Sequence, residues 1–392
     1  MANASSVKDI LIEMKTLSEI CIDLAFASLM YSDELVAKQV FVIEKQIDEL
    51  YKKLLTHLSL SIKSTSMAQQ FHIYFTIGEA TNIISDSAAD IASLVQRNIV
   101  VDDEIKELQN HMEQVVDLVR INEKSIFIGE SELSSDIHDV IGVDIVGIIR
   151  PEEGFFTEYN KIMKEGDLVI FRAPLECANA FIMLANGEIT SVDEARVRII
   201  EQKEKEPEKK LRRHQELLVD MKEKAELLVD FAYILALEDL PNIKNLIIQT
   251  EEEIDDLQYK IIEEVLSLYK NDKISKSTLI AYLRMADSFE EIADAAVKIA
   301  FGIATKHKPY RILEEIVDDS SEALYFINVT SDSPYLNKTV REAEQTGDYF
   351  QILAIKRKGK MIFEPEGEII IRKGDGLIIK EFSSPEDEKK EE

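Results

Sequence analysis

The chain of 392 residues holds 46 basic against 75 acidic side chains, a formal charge of −29, and 45 % of its residues are hydrophobic. That is enough apolar material for two to four domains with real cores. The acidic balance argues against a general nucleic-acid or anionic-membrane binder and suits a soluble cytosolic protein.

Cys21 and Cys177 lack metal-ligand spacing, and Cys21 sits in an apolar helical run, so both read as reduced structural thiols. The start, Met1 to Ser6, has neither the basic region nor the apolar core of a signal peptide. The longest apolar helical runs, around Ile20 to Tyr31 and Leu227 to Leu237, contain Asp23 and Asp230 and are too short to span a bilayer. Any membrane link therefore goes through a partner.

From Ser6 to about Lys53 apolar residues recur at helical spacing, as in Leu11, Met14, Leu17, Cys21 and Leu24, then Ile43, Ile47, Leu50 and Leu54. This predicts two long helices joined near Ser32-Asp33. Ser64 to Ser66 read as a loop, Met67 to Val95 as a third helix, and Asp102 to Val119 as an acidic helix leading to a β unit at Asn122 to Ala173. Ser191-Val192-Asp193-Glu194 has the form of a capping box for a further helix. The charged run Glu201 to Pro207 is the best boundary between two halves.

Beyond it the pattern repeats. Leu218-Val219-Asp220-Met221-Lys222 follows Leu11-Ile12-Glu13-Met14-Lys15 at an offset of 207 (218 minus 11), and Thr250 to Leu257 follows Ile43 to Leu50 at the same offset. The third helix recurs as Ser277 to Ala304, with Asp294 lying 208 after Asp86. A second β unit follows: a strand at Leu324 to Ile327, a short helix at Leu336 to Ala343, a hairpin of Gln351 to Arg357 with Met361 to Phe363, the run Ile369 to Ile371, and a last strand at Leu377 to Ile379. Ile145 to Arg150 echoes Ile352 to Arg357, and Glu165-Gly166-Asp167 echoes Lys373-Gly374-Asp375. The chain thus reads as a tandem of two halves, each a helical bundle followed by a β-α-β-β-β unit, with a charged, disordered tail from Ser383.

Three constellations could carry chemistry. Carboxylate pairs four residues apart, Glu44 with Asp48, Glu251 with Asp255 and Glu290 with Asp294, put like charges on one helical face. They are either a solvated acidic face or oxygen ligands suited to Mg²⁺, Ca²⁺, Mn²⁺ or iron. Asp23 and Asp230, each inside an apolar run, need a donor, a basic side chain or a metal once buried. The stretch Phe350 to Lys380 holds seven basic residues against four acidic, whereas Asp144 to Leu175 holds four against six. The second β unit is therefore the better place for a small anion, unless its lysines are only solvated turn residues. There is no Gly-x-Gly-x-x-Gly, no phosphate-binding P-loop and no clustered His, Cys and Ser, so no enzyme is expected.

Ser333-Pro334-Tyr335-Leu336-Asn337-Lys338-Thr339-Val340, with Ile352 to Arg357 and Ile371 to Ile378, resembles the TrkA-C domain, the C-terminal lobe of domains that regulate potassium channels and transporters. Ile47-Asp48-Glu49-Leu50, Ile254-Asp255-Asp256-Leu257 and Phe289 to Asp294 resemble PhoU-like three-helix bundles, some of which bind metal clusters through Glu/Asp-x-x-x-Asp motifs. The resemblance implies an α+β protein of two three-helix PhoU-like bundles alternating with two small TrkA-C domains. Its divisions would be a bundle at 1–118, a diverged TrkA-C-like domain at 119–178, a helical linker at 179–208, a bundle at 209–306, a TrkA-C domain at 307–382 and a tail at 383–392.

The function it implies is that of a cytosolic regulatory subunit of a cation transport system, potassium foremost. Such a subunit would be a homodimer that senses a small anionic ligand, such as cyclic di-AMP, and docks on a membrane transporter or channel subunit. Arg357, Lys356 and Arg150 are the expected ligand contacts. Glu44, Asp48, Glu251, Asp255, Glu290 and Asp294 are the expected ligands for divalent metal or iron under the alternative of a PhoU-like regulator of phosphate uptake. Asn82 stands where the second bundle has Glu290, which weakens the first bundle's set. A structural adaptor of a transporter is the third reading.

Overall fold

A computed structural model of the chain describes residues 6–99, 115–129, 141–150, 154–156, 162–203, 211–237, 241–304, 322–344, 350–358, 360–363 and 367–382, with single positions 105, 108, 111, 112 and 365. The expected tail at 383–392 lies outside them.

The first bundle is α1 (Val7–Tyr31), α2 (Glu34–Ser61) and α3 (Thr65–Gln96). Ser6 and Asp9 close a capping box at the start of α1, and Ser32, left-handed at φ 51, ends it. Asp33 then turns the chain, its carboxylate accepting from the backbone N–H groups of Leu35 and Val36. On α2, Val36, Val40, Ile43, Ile47, Leu50, Leu54 and Leu58 fall at steps of three and four and are all buried.

The first β unit contains β1 (Val115–Arg120), β2 (Asp144–Arg150), β3 (Gly154–Phe156) and β4 (Leu168–Ala173), followed by helices α4 (Leu175–Asn186) and α5 (Val192–Lys203). The second half has α6 (Arg213–Leu237), α7 (Pro241–Lys270) and α8 (Lys276–Ala304), then β5 (Glu322–Asn328), α9 (Val340–Glu344), β6 (Phe350–Arg357), β7 (Lys360–Phe363) and β8 (Gly376–Phe382). The sheet orders are β1-β4-β2-β3 and β5-β8-β6-β7, antiparallel throughout. Even the register irregularity recurs, between Ile145 and Gly147 and between Ile352 and Ala354.

Two expectations need correction. Val115 to Arg120 is a strand rather than the end of an acidic helix. Three valines favour an extended backbone, and pairing with β4 satisfies their amides and carbonyls while Val115, Val116 and Val119 are buried. The run Ile369 to Ile371 lies beside the segment leading into the short helix, with a bridge between Thr339 and Ile370. The short helix of the second unit also starts late, at Val340, where Thr339 and Glu342 form a capping box.

One apolar core runs through both bundles and includes the inner faces of both sheets, with Val116, Val146, Ile149 and Ile170 from the first and Leu353, Ala354 and Ile378 from the second. The bundles meet along α3 and α8, which run antiparallel. Arg284 pairs with Asp90 at 2.9 Å, Glu291 accepts from Ser87 at 2.9 Å, and Gly302 lets α8 approach Ile73 and Thr76. A reciprocal contact reinforces the junction. Lys15 of α1, bonded to Glu19, stands 5.3 Å from the ring centroid of Tyr233 on α6, and Lys222 of α6, bonded to Glu226, stands 5.3 Å from that of Phe26 on α1.

These two lysines are buried in different company: the carboxylate side chain beside Lys15 is 12 % exposed, that beside Lys222 34 %. Breaking an ion pair out of water costs more than breaking a wet one. Lys15→Met is expected to lower stability by about 3 kcal/mol, with Lys222→Met costing clearly less. Lys15→Met/Glu19→Leu should recover most of the loss. Chemical denaturation midpoints of the three variants test the ranking.

Candidate functional site

The expected ligand arginines lie at matching places in the two units, and each is clasped by its own sheet. Arg150 at the end of β2 donates through Nε and Nη2 to Asp167 at 2.8 and 2.7 Å, and through Nη2 to the Ile162 carbonyl at 2.9 Å. Arg357 at the end of β6 donates likewise to Asp375 at 2.9 and 2.6 Å, and to the Ile370 carbonyl at 2.6 Å. The turn before the last strand presents the aspartate. Gly166 and Gly374 adopt φ of 86° and 87°, open to glycine at little cost, and the aspartates also accept from the Lys164 and Arg372 amides at 2.8 Å.

Asp167 and Asp375 are 1 % and 2 % exposed. Burial raises the Asp375 carboxyl, but the hydrogen bonds from Arg357 and the Arg372 amide, with the charges of both arginines, together outweigh it and hold the group below the usual carboxylate range. These bidentate pairs lock the turn to the hairpin. Lys356, the third expected contact, is half-buried, with Nζ 5.6 Å from the ring centroid of Phe326 on β5.

The aspartates inside apolar runs find their partners on the β units. Asp23 of α1 accepts from Arg172 of β4 at 3.4 Å, and Asp230 of α6 accepts from Lys380 of β8 at 3.0 and 3.3 Å. Both carboxylates are buried, at 8 % and 6 % exposure. Of the three partners open to them, the choice is a basic side chain, at equivalent positions on the last strand of each sheet.

The carboxylate faces gather across helices within each bundle. Asp86 on α3 is pushed up to about 6, first by burial, then by Glu44, Asp48, Asp90 and the other bundle's Glu291. Glu290 on α8 is pushed up to about 7 by burial and by Asp294, Asp255, Glu291 and Asp287. Glu251 is raised by burial, Asp255 and Asp294, and Glu44 by burial and Asp48. Asn82, in the place of Glu290, donates to Asp86 at 3.3 Å. Among the described residues no three His, Cys, Asp or Glu side chains form a group able to hold a metal ion. The donor chemistry fits a hard cation and the positions do not yet converge on one. Cys21 is fully buried, and burial, then Glu44 and Asp86, push its thiol far up, so it is no nucleophile.

A carboxyl whose pKa is raised in the folded state binds more protons there than in the unfolded chain. Its contribution is complete below the unfolded value near 4.5 and is lost as pH rises through about 7 for Glu290. Glu290→Gln cannot lose that proton. Its melting temperature relative to the parent should therefore rise between pH 5 and pH 8, and a constant difference across that range would refute the crowding.

The PhoU domain family matches residues 11–95 and 218–302, and the TrkA-C domain family matches residues 324–380. No curated protein matches the chain. Among solved structures, "GsuK Channel" is similar at 11 % identity and a TM-score of 0.17, covering 81 % of this chain and 64 % of its own. "GsuK channel bound to NAD" stands at 10 % and 0.16, covering 82 % and 64 %, and "Crystal Structure of the GsuK RCK domain" at 12 % and 0.16, covering 82 % and 77 %. The chain thus spans 64 % of the length of the two channel chains. No helix among the described residues is long and apolar enough to cross a membrane. The α1–α3 and α6–α8 bundles and the second sheet coincide with the three matched segments: the chain carries two PhoU domains and a C-terminal TrkA-C domain.

Proposed function

We propose that the chain is a cytosolic regulatory subunit of a cation transport system, potassium foremost, that takes a small anion at its TrkA-C domain and acts on a membrane transporter or channel partner. What supports the reading is that the matched TrkA-C segment contains a basic stretch of an acidic chain, Phe350 to Lys380, and is tied by Lys380 to Asp230 in the adjoining bundle. Lys356 pairs in register with Gly376 at the start of β8, and Lys380 lies four residues further along that strand. An anion drawing Lys356 away from the Phe326 ring would disturb β5 and β8 together, and β8 carries the clasp. Binding can shift the protein only by the difference in affinity it has for the two arrangements. NAD, ATP, AMP and cyclic di-AMP are the anions to try, and the assembly would act as a homodimer.

Arg357 and Arg150 remain proposed contacts through whatever reach their clasps leave, and Lys356 is the cleaner probe. Arg357→Ala takes the cation from a buried carboxylate and would cost about 3 kcal/mol by itself. A ligand at a hundred times its dissociation constant stabilises the native state by about 2.7 kcal/mol. A thermal-shift screen of the parent should reveal such a nucleotide, and Lys356→Ala should lose the shift while keeping its unliganded melting temperature. An undiminished shift in Lys356→Ala would remove the assignment.

A second reading rests on the crowding around Glu290 and Asp86. A divalent cation or iron held by Glu251, Asp255, Glu290 and Asp294, or by Glu44 and Asp48 with Asp86, would relieve that repulsion, as in a PhoU-like regulator of phosphate uptake. On this reading, protein purified without chelator contains metal by elemental analysis, and Glu290→Gln/Asp294→Asn loses it. Metal-free protein would count against it.

A further inference from the structure

α7 is held in its bundle by one apolar face, on which Ile254, Leu257, Ile261 and Val265 are buried. Beside that face runs a second apolar stripe that turns to solvent. Tyr259 is 72 % exposed, Leu266 48 % and Tyr269 41 %, with Ile262 half-buried between them. Steps of three, four and three are the spacing of a seam between two helices. The bundle fold does not itself require these residues. At the matching positions 207 residues earlier, α2 carries Lys52, Leu55 and Ser59, with Ile62 just past its end, and Lys52 is bonded to Glu49 on the same helix.

Charge is divided along the same element. Glu251, Glu252, Glu253, Asp255 and Asp256 precede the stripe, while Lys270, Lys273 and Lys276, with Asp272 among them, follow it. Glu252, Asp256 and the three lysines are all exposed. A second copy of α7 laid parallel would set acid against acid and lysine against lysine. Laid antiparallel about a twofold axis at Glu264, it brings its Tyr269 to Tyr259 and its Leu266 to Ile262, and the acidic end of each helix reaches the lysine end of the other. Chains at −29 repel one another in general, and this local complementarity offsets that repulsion where the stripe lies.

We propose that α7 pairs with α7 of a second copy of this chain as an antiparallel two-helix seam, making a homodimer through the second PhoU domain. The occupant is a second copy because the stripe and its flanking charges complement themselves under a twofold axis. The seam stands apart from whether the TrkA-C domain takes an anion.

Sedimentation equilibrium of the full chain over a hundredfold range of concentration tests it. The parent is expected to dimerise reversibly, and Leu266→Asp to raise the dissociation constant at least tenfold. Tyr259→Asp, at the most exposed position of the stripe, should do the same while keeping the parent's melting temperature. Lys273→Glu/Lys276→Glu should weaken the dimer, and adding Glu252→Lys/Asp256→Lys should restore it, because both ends are then reversed together. A parent that stays monomeric throughout would overturn the proposal and leave the stripe to a different protein. A dimer indifferent to Leu266→Asp and Tyr259→Asp would overturn it as well, since the copies would then meet elsewhere. Charge reversal without effect, or without rescue, would overturn the antiparallel arrangement.

Discussion

A carboxylate placed inside an apolar helix must be paired when that helix is buried, and the rest of this molecule is arranged around the pairing. Asp23 and Asp230 sit in the first helix of each bundle, and their cations come from the last strand of each β unit, Arg172 and Lys380. Each sheet is thereby oriented with its last strand toward the bundle, and its inner face joins the core that the helices share. An unpaired carboxylate at these positions would cost several kcal/mol, so sheet and bundle are held in one arrangement rather than a range of them.

Duplication supplies the second constraint. The bundles pack along α3 and α8 and exchange a lysine each, Lys15 toward Tyr233 and Lys222 toward Phe26. Such a contact can form at both ends only if the halves are related by approximate twofold symmetry, as in the self-complementary interface of a dimer. Within that frame the copies have diverged in charge and cover. The first β unit is acidic on balance and carries α4 and α5. In the second, the stretch Phe350 to Lys380 is basic on balance, and Ile327 and Tyr335 are less buried than their counterparts Val119 and Phe127.

Much of the helical architecture was legible along the chain. Heptad-like spacing on α2, the Ser6, Asp33 and Ser64 caps and the 207-residue offset are local or periodic signals that survive any packing. Val115 to Arg120 escapes a local reading because an acidic approach and helical spacing upstream hide a six-residue strand whose ladder partner is β4, some fifty residues later. Arg357 and Arg150 stand out as basic residues in a repeated unit, and the same repetition holds their aspartate partners. Asp167 and Asp375 recur in the matching Gly-Asp turns, so an arginine and an aspartate duplicated together signal a pair as readily as a ligand site.

Periodicity, capping residues and the repeat determined the helices, most strands and the tandem order, because those depend on neighbours within a few residues. Tertiary structure alone decided which charges meet. That Asp230 meets Lys380 and that Arg357 meets Asp375 depend on which surfaces pack together. Such pairings join residues 18 to 150 positions apart, and no window on the chain spans them.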